Sequence, residues 1–525
     1  MIFRGLKTVC GVVLGISVAA SAQVGVRVKT DMGVVEGEMT RDQKVVAFKG
    51  IPFAAPPVGE LRWKAPQPVM KWTGVKSAKE FGSHCVQSGS YADMSFHDPG
   101  PSEDCLTLNV WVPAGAKRSV KQGLLPVMVW IYGGGYVTGG TSEYRQDGQN
   151  LARRDVVVVS MNYRLGVFGN LVHPELTAES GKNASGNYGL MDMAAALEWV
   201  KRNAAEFGGD AKNVTVFGES AGSFAVSTVM ASPLSKGLMA KAIGESGGAL
   251  YSSGLGYELR AVREVRDSEF MQKAFGTTKL AELRRVPTED LARAVMVKGA
   301  PRFGPSVDGY FLPKPMAAIY AAGEQAHIPV LAGWNADEGR AAGKTTPTVA
   351  SFTALAEKDF EARSGEFLAV YPAGTDAEAL VSAGDYGGDK FIAYSTWRWL
   401  EAQVKTGQAP VYRYFFTLGS PGDRYHTVAA GAFHSDDIEY VFGVLDSRTD
   451  AKWRPEDRKL SEEMQAYWVN FARTGNPNGA GVPQWPAYSE AGGWPVMHLD
   501  ATSEAKPDAL RPRYVFLDSV WGVAK

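Results

Sequence analysis

The sequence predicts an α/β protein: a central, mostly parallel sheet with an N-terminal antiparallel meander, helices on both faces and helical insertions over one end. Three observations carry this. Apolar runs rich in β-branched residues recur at 106–112, 126–131, 155–162, 328–335 and 411–418; they read as strands, with 126–131 and 155–162 buried on both faces. Between two such runs lies a helical period, in which Leu190, Met193, Ala194, Leu197 and Val200 share one face before Gly208-Gly209 ends it. The third is residues 214–226, where a β-branched and aromatic run passes through Gly218-Glu219-Ser220-Ala221-Gly222 into small and apolar residues. Strand, tight turn and helix follow in that order, so the strands on either side of the crossover should be parallel neighbours.

Taken from the start, Arg4 and Lys7 precede an apolar run at 9–20, and Ala20-Ser21-Ala22 offers a small-residue cleavage site. That is the pattern of an export leader, residues 1–22, and it places the mature chain in a secreted or periplasmic setting. The run is too short for a spanning helix, and no later segment is long and apolar enough for stable membrane insertion. Formal charge is −1 for the whole chain, and −3 once Arg4 and Lys7 are removed. Neither value suits a nucleic-acid partner. Of the three cysteines, Cys10 lies in the leader. Cys85 and Cys105 remain as an even pair in an oxidising compartment, expected to close a loop of about 20 residues. Neither has a His or Cys partner at metal-ligand spacing, so no metal is expected.

Alternation at Val24, Val26 and Val28, a turn at Asp31-Met32-Gly33, and the runs 34–39 and 45–48 suggest the antiparallel meander. The Pro/Gly-dense stretch 50–59 reads as an ordered loop. Residues 255–305 and 345–408 are helix-rich, with Leu259/Val262 and Leu280/Leu283 spacings, and read as insertions roofing the site. With no internal repeat, low-complexity tract or linker, residues 23–525 are taken as one domain.

The chemistry starts at Ser220. Gly-x-Ser-x-Gly between a strand and a helix is a nucleophile elbow, whose glycines let the chain reverse beside a neighbouring strand while the hydroxyl stays exposed. A second match, Gly244-Glu245-Ser246-Gly247-Gly248, is followed by the loop-forming Tyr251-Ser252-Ser253-Gly254 instead of a helix, and Ser246 is not expected to be a nucleophile. Upstream, the buried strand 126–131 runs into Tyr132-Gly133-Gly134-Gly135. Such a glycine run can turn N–H groups outward as an oxyanion hole, with Gly134, Gly135 and Ala221 as donors. A serine at neutral pH needs a general base, and the base an orienting carboxylate. The chain order Ser, acid, His of elbow hydrolases leaves His426, His434 and His498. His498 lies in an edge-strand pattern and His426 in a polar loop, which favours His434. Asp337 and Glu338 are adjacent at the end of a strand, and the residues alone do not choose between them.

These residues, together with Phe48-Lys49-Gly50-Ile51-Pro52-Phe53-Ala54, Glu103-Asp104-Cys105-Leu106-Thr107-Leu108-Asn109-Val110, Asn162-Tyr163-Arg164-Leu165-Gly166 and the stretch 431–443, occur in an order that resembles the type-B carboxylesterase and cholinesterase family of α/β-hydrolases. The resemblance covers nearly the whole mature chain. It implies Ser220 as nucleophile, Glu338 as acid, His434 as base, Gly134, Gly135 and Ala221 as oxyanion donors, a Cys85–Cys105 disulfide and a buried supporting role for Ser246. It also implies a small-molecule ester as substrate and no cofactor. One departure bears on substrate: the loop from Cys85 to Cys105 holds Tyr91 and Phe96 but no tryptophan to bind a quaternary ammonium, which disfavours acetylcholine. The expected reaction is ester hydrolysis through an acyl-enzyme. The alternatives are a same-fold hydrolase of amides, thioesters or lactones, and a non-catalytic binding member.

Overall fold

Strands with apolar residues on both faces need cover on both faces, and this requirement arranges the molecule. A computed structural model describes residues 23–87, 89–117, 123–251, 257–339 and 346–522; the expected leader 1–22 and the Ser252-Ser253-Gly254 part of the loop after Ser246 lie outside the described residues. Among the described residues the main sheet has eleven strands. In chain order they are β1 (Glu38–Met39), β2 (Val45–Pro52), β3 (Thr107–Pro113), β4 (Leu125–Ile131), β5 (Val157–Met161), β6 (Gly209–Glu219), β7 (Lys241–Glu245), β8 (Val330–Asn335), β9 (Val411–Phe416), β10 (Pro495–Leu499) and β11 (Glu504–Pro507). Across the sheet the order is β11-β10-β9-β8-β7-β6-β4-β5-β3-β2-β1.

From β5 through β10 every neighbouring pair is parallel. The outer pairs, β10/β11 at one side and β5/β3, β3/β2 and β2/β1 at the other, are antiparallel. All residues of β7 and β8 are buried, so both faces of the sheet centre are covered. The predicted helix runs from Tyr188 to Asn203 and ends through a short 3₁₀ turn at Gly208, whose φ of 75° suits glycine. The elbow helix, Ala221–Ala231, packs on β6 and β7 with every residue buried.

The N-terminal meander forms as antiparallel pairs shared between two sheets: Arg27–Lys29 pairs with Val34–Glu36, which pairs in parallel with Val75–Ser77 in a separate three-stranded sheet, whereas β1 and β2 join the main one. The division falls at Gly37, where a side chain would strike the Ala47 carbonyl and the Phe48 ring. In the first insertion the helix Arg260–Phe275 exists, but Leu259 and Val262 face solvent. Its buried face is instead Arg263, Asp267 and Met271, with the Arg263–Asp267 ion pair at 3.0 Å satisfying the two charges it buries. His498 lies on β10, one strand in from the sheet edge, which β11 occupies.

Cys85 and Cys105 are joined by a disulfide that ties the 85–105 loop to the start of β3. Closing a loop of 20 residues restrains the unfolded chain by about 3 kcal/mol in the loop-entropy treatment. Replacing both cysteines by alanine should therefore lower the midpoint of thermal unfolding by several degrees; an unchanged midpoint in a scan of the oxidised and variant proteins would contradict it.

Candidate active site

The turn after β6 is tight because β4 lies beside it in parallel register, with Ile131 opposite Gly218. A Cβ on Gly218 would lie 2.6 Å from the Ile131 carbonyl oxygen, and one on Gly222 would also strike that oxygen and lie 3.0 Å from the Tyr132 carbonyl. Only glycine fits at either position. Ser220 itself has φ 53° and ψ −123°, a strained conformation for an L-residue, held by its N–H donating to the Glu245 carbonyl at 2.8 Å and its carbonyl accepting from Phe224 at 3.0 Å. This geometry keeps the hydroxyl clear of the helix.

At the end of β4 the chain turns through Gly134, Gly135 and Tyr136, with successive φ values of 99°, 62° and 63°. The run of positive φ turns amides to one side. Among the described residues, no carbonyl or side chain accepts from the N–H groups of Gly134, Gly135 or Ala221. These amides are free for a ligand next to Ser220, whose Cβ lies 3.0 Å from the position a Cβ on Gly133 would take.

His434 comes from the loop between β9 and the short helix Ile438–Phe442. Its Nε2 is 2.8 Å from Ser220 Oγ, and its Nδ1 is 2.6 Å from Glu338 Oε2. Because an ionised carboxylate only accepts, Nδ1–H donates to Glu338 and Nε2 accepts from the serine hydroxyl. Glu338 is fixed in turn: its Oε1 accepts from Ser246 Oγ at 2.6 Å and from the Asn335 N–H at 3.0 Å. Ser246 is fully buried, so its hydroxyl serves the carboxylate and is closed to substrate. Asp337, the neighbour that sequence could not separate from Glu338, accepts from the Ala432 N–H at 2.8 Å, bracing the histidine loop. His426 stacks on Phe433 at 3.8 Å, and His498 packs against Phe415 on β10, so neither approaches Ser220.

Two residues without an assigned role meet the same histidine. Glu219, inside the elbow motif, brings Oε1 within 3.3 Å of His434 Nε2, and Phe391 from the second insertion sets its ring 5.0 Å from the imidazole. Burial works against a charge on both Glu219 and His434. Against that burial, the Glu338 and Glu219 carboxylates hold the imidazole up at about 9, while burial pushes Glu219 up to about 8. The two groups titrate together, since an ionised Glu219 favours imidazolium. With 26% of its side chain accessible, His434 can still be reached by a substrate.

A base must be neutral to accept a proton, so kcat/KM should rise with pH as the imidazolium loses its proton. Glu219→Gln removes a negative neighbour, destabilises imidazolium and should move that rising limb to lower pH. A pH profile of kcat/KM on an uncharged ester checks this; a limb that stays put or moves upward would contradict the electrostatic reading.

Comparison with known proteins agrees with the geometry. The sequence pattern of the carboxylesterase family matches residues 25–516. The chain is 38% identical over 483 residues to a fumonisin B1 esterase of Sphingopyxis macrogoltabida, covering 88% of this chain and 84% of that one. It is 35% identical over 509 residues to the para-nitrobenzyl esterase of Bacillus subtilis (strain 168), covering 93% and 98%. A solved structure of a PNB esterase superimposes with a TM-score of 0.78 at 34% identity, over 94% of this chain and 99% of that one. With an α/β-hydrolase sheet of this topology and relatives of these activities, the chain belongs to the carboxylesterase family and is a carboxylic ester hydrolase.

Proposed function

We propose that the chain cleaves esters by a two-step serine mechanism in which Ser220 is the nucleophile, His434 the general base and acid, and Glu338 the orienting carboxylate. The observation that carries this reading is the unbroken relay of 2.8 and 2.6 Å from Ser220 through His434 to Glu338. Ser220 Oγ attacks the ester carbonyl carbon as its proton passes to His434 Nε2. The carbonyl oxygen becomes an oxyanion, and the N–H groups of Gly134, Gly135 and Ala221 stabilise it. Collapse expels the alcohol, which takes the proton from Nε2 and leaves an acyl-Ser220. Water then attacks that ester, again losing its proton to His434, and the acid departs as the serine hydroxyl is restored.

Glu338 keeps the proton on Nδ1 and stabilises imidazolium, and Glu219 adds a second negative group beside Nε2. Export of the mature chain is part of the proposal, supported by the leader pattern at 1–22 and by the Cys85–Cys105 disulfide, which suits an oxidising compartment. So is the single-domain reading of 23–525, supported by a main buried apolar cluster whose members range from Val24 to Leu517, beside a smaller one that includes Trp63, Phe168 and Phe303. The substrate is a small-molecule ester. Tyr91 and Phe96 in the disulfide loop provide no tryptophan face, which supports excluding acetylcholine.

Ser220→Ala should lower kcat on an activated ester by at least about 10⁴-fold and abolish labelling by an organophosphonate; a purified variant that retains activity would refute the assignment. To separate the two neighbouring acids, Glu338→Gln should cost far more in kcat than Asp337→Asn. The reverse order in a side-by-side kinetic measurement would transfer the role to Asp337.

A further inference from the structure

Arg302, in the first insertion, donates from Nη2 to the carbonyl oxygen of Gly135 at 2.6 Å. Its backbone is held in place: its own carbonyl accepts from Arg266 Nη2 at 3.0 Å, the following Phe303 is buried, and Arg263 Nη1 donates to the Gly304 carbonyl at 2.7 Å. The side chain is exposed, and among the described residues no carboxylate pairs with it. That sets it apart from the arginines that hold the fold together. Arg62 takes Glu103, Arg164 takes Asp192, Arg263 takes Asp267, Arg284 takes Glu179, and even the adjacent Arg266 takes Glu258 and Asp267.

A guanidinium has five N–H donors in a planar fork suited to a carboxylate. One donor of Arg302 is spent on Gly135, and among the described residues no hydrogen bond engages Nε or Nη1. The residue whose carbonyl it grips is the same one whose amide faces the reacting oxygen. Two hydrogen bonds and the span of a single residue therefore separate the guanidinium from the oxyanion, on the order of 8 Å at most. The Tyr91 hydroxyl lies on the same side, 3.8 Å from where a Cβ on Gly135 would stand.

We infer that Arg302 is a substrate-binding residue that selects esters carrying a free carboxylate two or three carbons from the scissile carbonyl, such as half-esters of dicarboxylic acids. This rests on the Ser220 reading above. The substrate carboxylate accepts from the free edge of Arg302 while its ester carbonyl sits on the Gly134, Gly135 and Ala221 amides. An uncharged ester makes only the second set of contacts. The carboxylate could belong to the acyl group or to the alcohol, and both place the same anion against the same fork.

The test compares matched ester pairs on the full chain: monoethyl glutarate against ethyl pentanoate for the acyl side, and 3-(butyryloxy)propanoate against propyl butyrate for the alcohol side. In wild type, R302K, R302Q and R302E, the readout is the ratio of kcat/KM for the charged ester to that for its neutral partner. R302Q should lower the ratio about tenfold or more for one pair, mainly through KM, with R302E lower still and R302K between. The pair affected identifies the side. A ratio that stays within about twofold in both R302Q and R302E, because both esters fall together or neither does, would overturn the inference and leave Arg302 as a prop for the Gly135 carbonyl. Binding of free glutarate by titration calorimetry gives a second readout that needs no turnover: weaker binding in R302Q supports the inference, and equal binding opposes it. Failure of the Ser220 reading looks different, since an organophosphonate would then leave Ser220 of the wild type unlabelled whatever the ratios.

Discussion

The Ile131 carbonyl, pressed against the two glycines of the elbow, is the contact on which the site depends. Strand β4 ends there and leads into Gly133, Gly134 and Gly135; strand β6 ends beside it and leads into Ser220. Because the two strands are parallel neighbours, both chain ends emerge at the same sheet edge, and a separation of more than eighty positions in sequence becomes a few ångströms of space. A side chain at Gly218 or Gly222 would push the serine turn away from the amides that face it. The strain in Ser220 follows from the same crowding, and the buried helix Ala221–Ala231 holds the turn against relaxation.

Around that contact the protein gathers negative charge in a dry place. Glu219 and Glu338 both approach His434, and Glu338 is oriented by the Ser246 hydroxyl and the Asn335 amide. When ionised, both carboxylates favour a charge on the imidazole, whereas burial works against a charge on Glu219 itself. Positive charge is brought to the glycine run by Arg302, bonded to the Gly135 carbonyl and carried on a loop fixed by Arg263 and Arg266. Carboxylates thus meet the imidazole, and a guanidinium meets the glycine run.

Much of this was legible before any coordinates. The elbow announces itself because steric exclusion leaves only glycine at two positions around one serine, and the β-branched runs on either side can be little other than parallel strands. The glycine run after β4 is readable for the same reason. Where sequence reasoning stopped, the physics is equally specific. Asp337 and Glu338 are neighbours in a turn, and which side chain points at the imidazole depends on the path of that turn, which the Ala432 amide sets by capturing Asp337. Glu219 was in plain view inside the motif, but its meaning comes from a histidine far along the chain. Arg302 lies in a loop of the first insertion, about which helical periodicity says nothing, and Phe391 lies on a π-helical turn, Asp389–Ala393, of the second, on a face the periodicity does not mark as buried. The antiparallel meander is legible, but its division between two sheets is not, because the sheet change at Gly37 interrupts no alternation.

The account makes one geometrical claim above all, that an oxyanion formed on Ser220 points at three main-chain amides. A crystal structure of the enzyme inactivated by a small uncharged phosphonate ester measures this directly. The account predicts phosphorus bonded to Ser220 Oγ and a phosphonyl oxygen about 2.7–3.1 Å from the N–H groups of Gly134, Gly135 and Ala221. An adduct on a different residue, or a phosphonyl oxygen turned away from those amides, would contradict it.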